Sequence, residues 1–476
     1  MAQPQPYSPS HDFLPGTNIG HVPGQELNVE FNALKTTLDQ TLSNLRSIQR
    51  DDGAVQNGAI DTPQLSPTLS QLMTQAAAII ATSTGPRGPA GPPGSNSAYI
   101  TNGTPANLKQ TAAAINSMFN ATPAFPRMHL YGDSLTKGSG GLIQKYSPGQ
   151  RMADELTRRG INSINTIFGF DFGTTAELTA WEPRLVFTGS WGQWTQMPGG
   201  KTFLCSSNAG TMTYTPGYSH DIIDVYWYRG SDNGAVGSMT LTLGDGGTFN
   251  WATFLASGGG SIASGSGVTT VTISQAGVTN WMRTRIMRNA AATSSLIITN
   301  GATNKIEIAG IEPFLSTAST MLIRSMGATG QPTTYLVATS SRTFILGVPC
   351  EIAVLCIGRN DLSNGVNLGT YATNLATIRG DMVAALSQDA IFWTWPPSAL
   401  SDTSKVNQQA YTDAMRTAAG TNTVLADLWQ RYEDLGGQEA LASGAANWYN
   451  DGLHPNAFGN YDIAEFLVRT LLRNNI

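Results

Sequence analysis

The chain has 476 residues, of which only 12% are charged, and carries a formal net charge of −5. About 25% charged residues is usual, and no basic patch stands out, so nucleic acid is not expected as a ligand. At roughly 100–200 residues per domain the length allows two to four domains. The 41% hydrophobic content excludes wholesale disorder despite 51 Gly and 24 Pro.

The opening MAQPQPYSPSHDF has neither a basic n-region nor an apolar h-region, so no secretory signal is expected. No apolar run reaches the roughly 18 residues that span a bilayer, so no membrane insertion is expected. Leu27, Phe31, Leu34, Leu38, Thr41, Leu45 and Ile48 then recur in steps of four and three. This is a heptad seam with one polar break, compatible with a trimer, a dimer or an ordinary amphipathic helix. A second short helical patch holds Leu69, Leu72, Met73 and Ala76. In GPRGPAGPPG, glycine stands at 85, 88, 91 and 94. That spacing fits a collagen-like neck, and a stiff Pro/Gly linker equally requires nothing more. Cys205, Cys350 and Cys356 make an odd, sparse set, which argues for buried thiols over a disulfide scaffold. Synthesis in a reducing cytoplasm follows from that usage.

From Pro126 the texture changes. MHLYGDSL reads as a short strand ending in a turn, and QRMADELTRRG (150–160) as a helix closed by Gly160. DIIDVYWYRG, SMTLTLGDGG, VTTVTISQAG and SSLIITNG alternate apolar and polar residues between Gly and Asn punctuation, the pattern of an all-β region. After about Thr317 an α/β texture returns. TTYLVATSSR reads as a helix, EIAVLCIG as a buried strand, YATNLATIRGDMVAALS as a helix and DAIFWTW as a strand. AFGNYDIAEFLVRTLLRN ends the chain as a helix. An α/β domain interrupted by a β insert is the expected arrangement, tolerated where the ends of the insert lie close together.

Three short elements carry chemistry. Gly132-Asp133-Ser134-Leu135 places a serine where a strand ends, the edge at which open α/β sheets gather their sites; a helix cap is the alternative role for it. Asp451-Gly-Leu-His454-Pro455 sets a carboxylate three residues ahead of a histidine, able to hold Nδ1 and leave Nε2 as a base. Gly358-Arg359-Asn360-Asp361 follows the buried strand, and its Asn amide can donate to an oxyanion or form an Asx turn. The five histidines form no HxH or HExxH pair, so no metal and no cofactor is expected.

Taken together these elements resemble the SGNH hydrolases, also called GDSL esterases. The resemblance covers about 126–175 and 318–476. It implies a three-layer α/β/α sandwich with a parallel sheet. It implies Ser134 as nucleophile, and Asp451 and His454 as the rest of a catalytic triad. The Ser134 N–H, the Asn360 amide and a glycine N–H would form the oxyanion hole. Gly327, in SMGATG ahead of a helix and the next strand, suits that glycine best, with Gly169 and Gly173 as earlier candidates. Arg359 fills the variable slot of its block and is a candidate for touching substrate or for a surface salt bridge. Trp393, Trp395 and Trp448 are candidates for the substrate-binding rim.

The β insert looks like the jelly-roll accessory domains of carbohydrate-active SGNH esterases, and Trp181, Trp191, Trp194, Tyr226, Trp227, Tyr228 and Trp251 are available there as sugar platforms. The N-terminal seam and neck look like bacteriophage tail-spike and tail-fibre attachment segments. The expected organisation is therefore an elongated attachment and oligomerisation region (1–84), a collagen-like neck (85–94), a linker helix (95–125), a first hydrolase part (126–180), the insert (181–315) and a second hydrolase part (316–476). The resemblance implies a homotrimer on the virion, joined through its N-terminus to a phage baseplate or other tail protein. It implies removal of O-acetyl groups from bacterial surface polysaccharide, capsule or O-antigen, at the cell surface. An SGNH esterase for a lipid or peptidoglycan ester and a non-catalytic glycan-binding fibre are the alternatives. No paired-carboxylate signature for glycosidic cleavage appears.

Overall fold

A computed structural model describes residues 32–41 and 99–472, apart from 140–142, 170, 173, 230–236, 255–261, 264–266, 277–278, 302–303, 349, 385–388, 396–404 and 438–447. The chain divides into two units, Met1–Ala90 and Gly91–Ile476. In the first, residues 32–41 form a helix braced by a Lys35–Asp39 ion pair, with Leu34 and Leu38 exposed. The rest of the seam and the Gly85–Gly94 repeat lie outside the described residues.

The second unit is built on a seven-stranded sheet. Its spatial order is Ile100–Thr101, Val424–Ala426, Asp389–Trp393, Ile352–Cys356, Arg127–Gly132, Met321–Gly327 and Ser163–Ile167. Every pairing is parallel except that of the two-residue edge strand Ile100–Thr101. Segment 95–125 therefore does more than link. It supplies this edge strand and the helix Lys109–Ser117, where the Thr111 N–H donates to Asp389 at 2.6 Å.

IAVLC (Ile352–Cys356), DAIFW (Asp389–Trp393) and MLIRSMG (Met321–Gly327) are buried at every position. Such runs need cover on both faces, as parallel sheets do. Helices Pro148–Arg158 and Ala457–Leu472 pack together, as do Leu368–Ala384 and Lys405–Ala419. TTYLVATSSR is two short helices, Thr333–Leu336 and Thr339–Gly347, in place of the single helix expected.

Between Ser163–Ile167 and Met321–Gly327 the chain makes two six-stranded antiparallel sheets. One has the order Phe249–Phe254, Asn280–Ala292, His220–Arg229, Ile306–Phe314, Gly200–Cys205, Trp191–Met197. The other has the order Ile262–Ala263, Thr270–Ser274, Ser238–Leu243, Leu296–Asn300, Thr211–Tyr214, Leu185–Thr188. Their inner faces share one apolar core, including Phe203, Val225, Trp227, Leu241 and Ile298.

The insert is not merely appended. Met197, Tyr226, Trp281 and Ala309 belong to the apolar core around the seven-stranded sheet. At the junction Arg324 donates to Glu312 at 2.5 and 2.7 Å and to His129 Nε2 at 2.7 Å, and His129 Nδ1 faces the Tyr131 hydroxyl at 2.7 Å. All four side chains are buried. Burial, reinforced by the Arg324 charge, pushes His129 well below its usual pKa, so it stays neutral and serves as an acceptor. Buried charge is retained here because both partners are present and hydrogen-bonded.

Candidate active site

Ser134 opens the four-residue helix Ser134–Lys137 directly beyond the strand Arg127–Gly132. Capping falls to Asp133, whose carboxylate accepts the Leu135 N–H at 2.9 Å. The serine hydroxyl is thereby left for other work. Three hundred and twenty residues away in sequence, His454 places Nε2 at 2.9 Å from Ser134 Oγ. Its Nδ1 lies 2.7 Å from Asp451 Oδ2. Asp451 Oδ1 accepts the backbone N–H groups of His454 at 2.8 Å and Leu453 at 3.0 Å, closing the turn that carries the histidine. Partial burial alone would raise the Asp451 pKa. The hydrogen bonds from the His454 side chain and the two amides outweigh it and hold the carboxyl below its usual range. With Nδ1–H given to this carboxylate, Nε2 is the acceptor for the serine hydroxyl.

Gly327 ends its strand in register with Gly132, beside the serine turn. A Cβ there would lie 2.3 Å from the Lys137 nitrogen and 2.6 Å from the Asp133 carbonyl oxygen, so only glycine permits this approach. Gly169 is different: its N–H is spent on the Ala309 carbonyl at 2.9 Å, which leaves Gly327 as the better placed donor. Gly173 lies outside the described residues. Asn360 stands on the short helix Arg359–Ser363, which follows the strand next to Arg127–Gly132. One amide hydrogen of Asn360 donates to the Gln331 carbonyl at 3.3 Å, tying the Gly327 loop to the Asn360 turn; the amide has a second hydrogen.

Two of the three expected rim residues are not at a rim. Trp393 and Trp395 are wholly buried, Trp393 as the last residue of a strand covered on both faces. Trp395 packs so tightly on Gly358 that a Cβ at that glycine would meet its ring at 2.7 Å. Arg359 is 2% exposed and donates to Ser363, so a surface salt bridge does not describe it. Trp448 is half-buried, edge-on to Tyr432, and its carbonyl accepts the Asn456 N–H beside His454. In the insert, Trp181, Tyr226 and Trp227 are core residues, whereas Trp194 is 43% exposed.

The sequence analysis missed a buried acidic pair behind the serine. Burial pushes Asp133 up to about 7, helped by the nearby Asp361 and opposed by the Leu135 N–H and Arg359. Burial pushes Asp361 up to about 6, opposed by hydrogen bonds from the Thr333 hydroxyl and N–H. Neither residue has a local signal beyond its place in the motif; only the fold sets them close together. The three cysteines are buried and form no disulfide. Among the described residues no cluster of three metal-ligating side chains occurs, and no helix is long and apolar enough to cross a membrane.

No family model matches the chain, and no curated protein is detectably similar in sequence. Solved structures do match. One titled "Peptidoglycan O-acetylesterase in action, 5 min" superposes with a TM-score of 0.57 at 14% identity, covering 79% of this chain and 98% of its own. A family two carbohydrate esterase from Clostridium thermocellum, in complex with cellohexaose, gives a TM-score of 0.26 at 9% identity, covering 61% of this chain and 98% of its own. Axe2, an acetylxylan esterase from Geobacillus stearothermophilus, gives 0.28 at 17% identity, covering 32% and 73%. The first likeness establishes the fold alone: an α/β fold shared with that protein, the fold class the sequence resemblance implied.

Proposed function

We propose that the chain is a serine esterase of the SGNH type that removes O-acetyl groups from a bacterial surface polysaccharide. The observation that carries this reading is the continuous hydrogen-bonded series Ser134–His454–Asp451. As Ser134 Oγ attacks an ester carbonyl, its proton passes to His454 Nε2, and Asp451 steadies the imidazolium that forms. The Ser134 N–H, the Gly327 N–H and the Asn360 amide receive the oxyanion. The tetrahedral intermediate then collapses, the C–O bond to the sugar breaks, and His454 gives its proton to the departing sugar oxygen, which leaves as a hydroxyl with acetyl-Ser134 behind. Water attacks that ester with His454 as base, acetate leaves and the serine is restored. Ser134 is only 5% exposed, which suits a short acyl group better than a long chain.

The polysaccharide and the virion setting extend this reading. The exposed Leu34 and Leu38 on the 32–41 helix supply one turn of the apolar seam that a trimeric stalk needs. In this reading the stalk joins a phage tail protein and the enzyme faces the host surface. One observation favours a second substrate, O-acetylated peptidoglycan: the superposition on the peptidoglycan O-acetylesterase spans nearly all of that protein. A series of soluble esters of rising acyl length, run with the wild type and Ser134→Ala, tests the common core. Ser134-dependent turnover that falls steeply beyond acetyl supports it. Turnover that rises with chain length or survives the substitution contradicts it.

A further inference from the structure

We propose that Asp171 is a positioning residue that locks the oxyanion loop against the serine helix, through an ion pair with Lys137; this rests on the esterase reading above. Lys137 is the last residue of the helix that Ser134 begins, and its side chain is 7% exposed. Its Nζ meets Asp171 Oδ2 at 3.0 Å, the Asp171 carbonyl at 3.1 Å and Thr329 Oγ1 at 3.3 Å, and lies 3.5 Å from the Phe172 ring centroid. The same Asp171 Oδ2 accepts the backbone N–H of Thr329, two residues beyond Gly327. One carboxylate oxygen therefore holds the nucleophile's helix with one hand and the oxyanion loop with the other.

The arrangement matters because there is no slack between the two pieces. Gly327 already touches the backbone of Lys137 and Asp133 so closely that a Cβ would not fit. Its N–H acts on the transition state only if it lies within hydrogen-bond reach of where the oxyanion forms, and a shift of ~1 Å can cost on the order of 10²-fold. Two more tethers hold the loop: the Ala328 N–H donates to the Gly132 carbonyl at 3.1 Å beside Gly327, and Asn360 donates to the Gln331 carbonyl at 3.3 Å on the far side of Thr329. Removing Asp171 frees the Thr329 end and strands a buried ammonium, so the loop beyond Ala328 loses its hold on the serine helix and the Gly327 N–H its fixed aim. Ser134, His454 and Asp451 do not touch Asp171, so the proton relay stays intact. The insert reaches the residue next to Asp171, since Gln193 donates to the Phe172 carbonyl.

Steady-state kinetics of the full chain on p-nitrophenyl acetate separate the outcomes. Asp171→Ala is expected to lower kcat by about 10- to 100-fold with KM within about twofold. Because Asp171→Ala leaves Lys137 buried without its carboxylate, the double variant Lys137→Met/Asp171→Ala is run beside it. This variant carries no stranded charge and is expected to melt near the wild type while keeping the kcat loss. A folded double variant with wild-type kcat overturns the assignment, as does a loss confined to KM. Ser134→Ala completes the set: wild-type turnover that does not need Ser134 overturns the esterase reading and this one with it. Ser134-dependent turnover indifferent to Asp171 overturns this one alone.

Discussion

Replacing Asp451 by Asn probes the His454 relay at its most informative point. The carboxylate does two separable things. Oδ2 takes the Nδ1 proton of His454 at 2.7 Å, and Oδ1 accepts two backbone N–H groups that shape the turn. Asparagine keeps an oxygen for the amides but presents an NH₂ group to Nδ1. The imidazole must then carry its proton on Nε2, where it points at Ser134 and cannot accept. The Asp451 side chain is 52% exposed, so its charge acts partly through water. Two charges ~4 Å apart are worth about 1 kcal/mol at a dielectric constant of 80 and about 4 at 20. Adding the wrong tautomer gives a barrier rise of about 3–5 kcal/mol, or about 10²–10⁴ in kcat. Alanine behaves differently: water fills the exposed space and can accept the Nδ1 proton, so Asp451→Ala is expected to lose about tenfold less than Asp451→Asn, while melting lower because the turn loses its acceptor. The assay is kcat for p-nitrophenyl acetate together with a melting curve for each variant. Asp451→Asn within about tenfold of the wild type, beside an inactive His454→Ala, refutes the reasoning.

Asn360→Ala should lower kcat by about 10²–10³ with little change in KM, measured in the same assay, as loss of one oxyanion donor does. Gly327→Ala should lower both activity and melting temperature, because its Cβ falls 2.3 Å from a backbone nitrogen; overpacking typically costs about 1–3 kcal/mol, and wild-type kcat in this variant would exclude Gly327 from the site. Asp133, raised to about 7 from an ordinary 3.8, binds its proton more tightly folded than unfolded. Its contribution to stability is therefore complete below about pH 4 and lost as the pH rises through 7, by at most about 4 kcal/mol. Melting temperature should fall between pH 5 and pH 8, and Asp133→Asn, which keeps a cap for the Leu135 N–H, should flatten that fall; equal slopes would contradict it.

How much was legible depended on whether the chemistry was local. Ser134, and the Asp451–His454 pair, sit in short motifs whose internal spacing already states what each side chain can reach. Their meeting across 320 residues is the work of the parallel sheet, which brings the ends of the strands Arg127–Gly132, Met321–Gly327 and Ile352–Cys356 to one edge. Alternating runs in the insert gave its strands away, because each has one dry and one wetter face. Central strands carry no such alternation, so nothing in DAIFWTW distinguishes an exposed aromatic from Trp393 and Trp395 in the core. Arg359 misled for a related reason: charge suggests the surface, but the turn after its strand folds the guanidinium inward, near Asp133. Lys137 and Asp171, Arg324 and Glu312, and Arg324 and His129 each answer a partner that only the tertiary fold supplies, and no spacing rule announces them. The segment 95–125 read as a linker helix; its helix is there, but its two-residue edge strand is too short to leave a pattern.

The most direct measurement is acetate release from O-acetylated surface polysaccharides, and from O-acetylated peptidoglycan, by the wild type and by Ser134→Ala. The expected result is acetate from a surface polysaccharide with the wild type alone and no change in polymer length. Acetate only from peptidoglycan would move the substrate to the cell wall. No acetate from a glycan that the protein binds, or a shortened polymer, would contradict a polysaccharide O-acetylesterase.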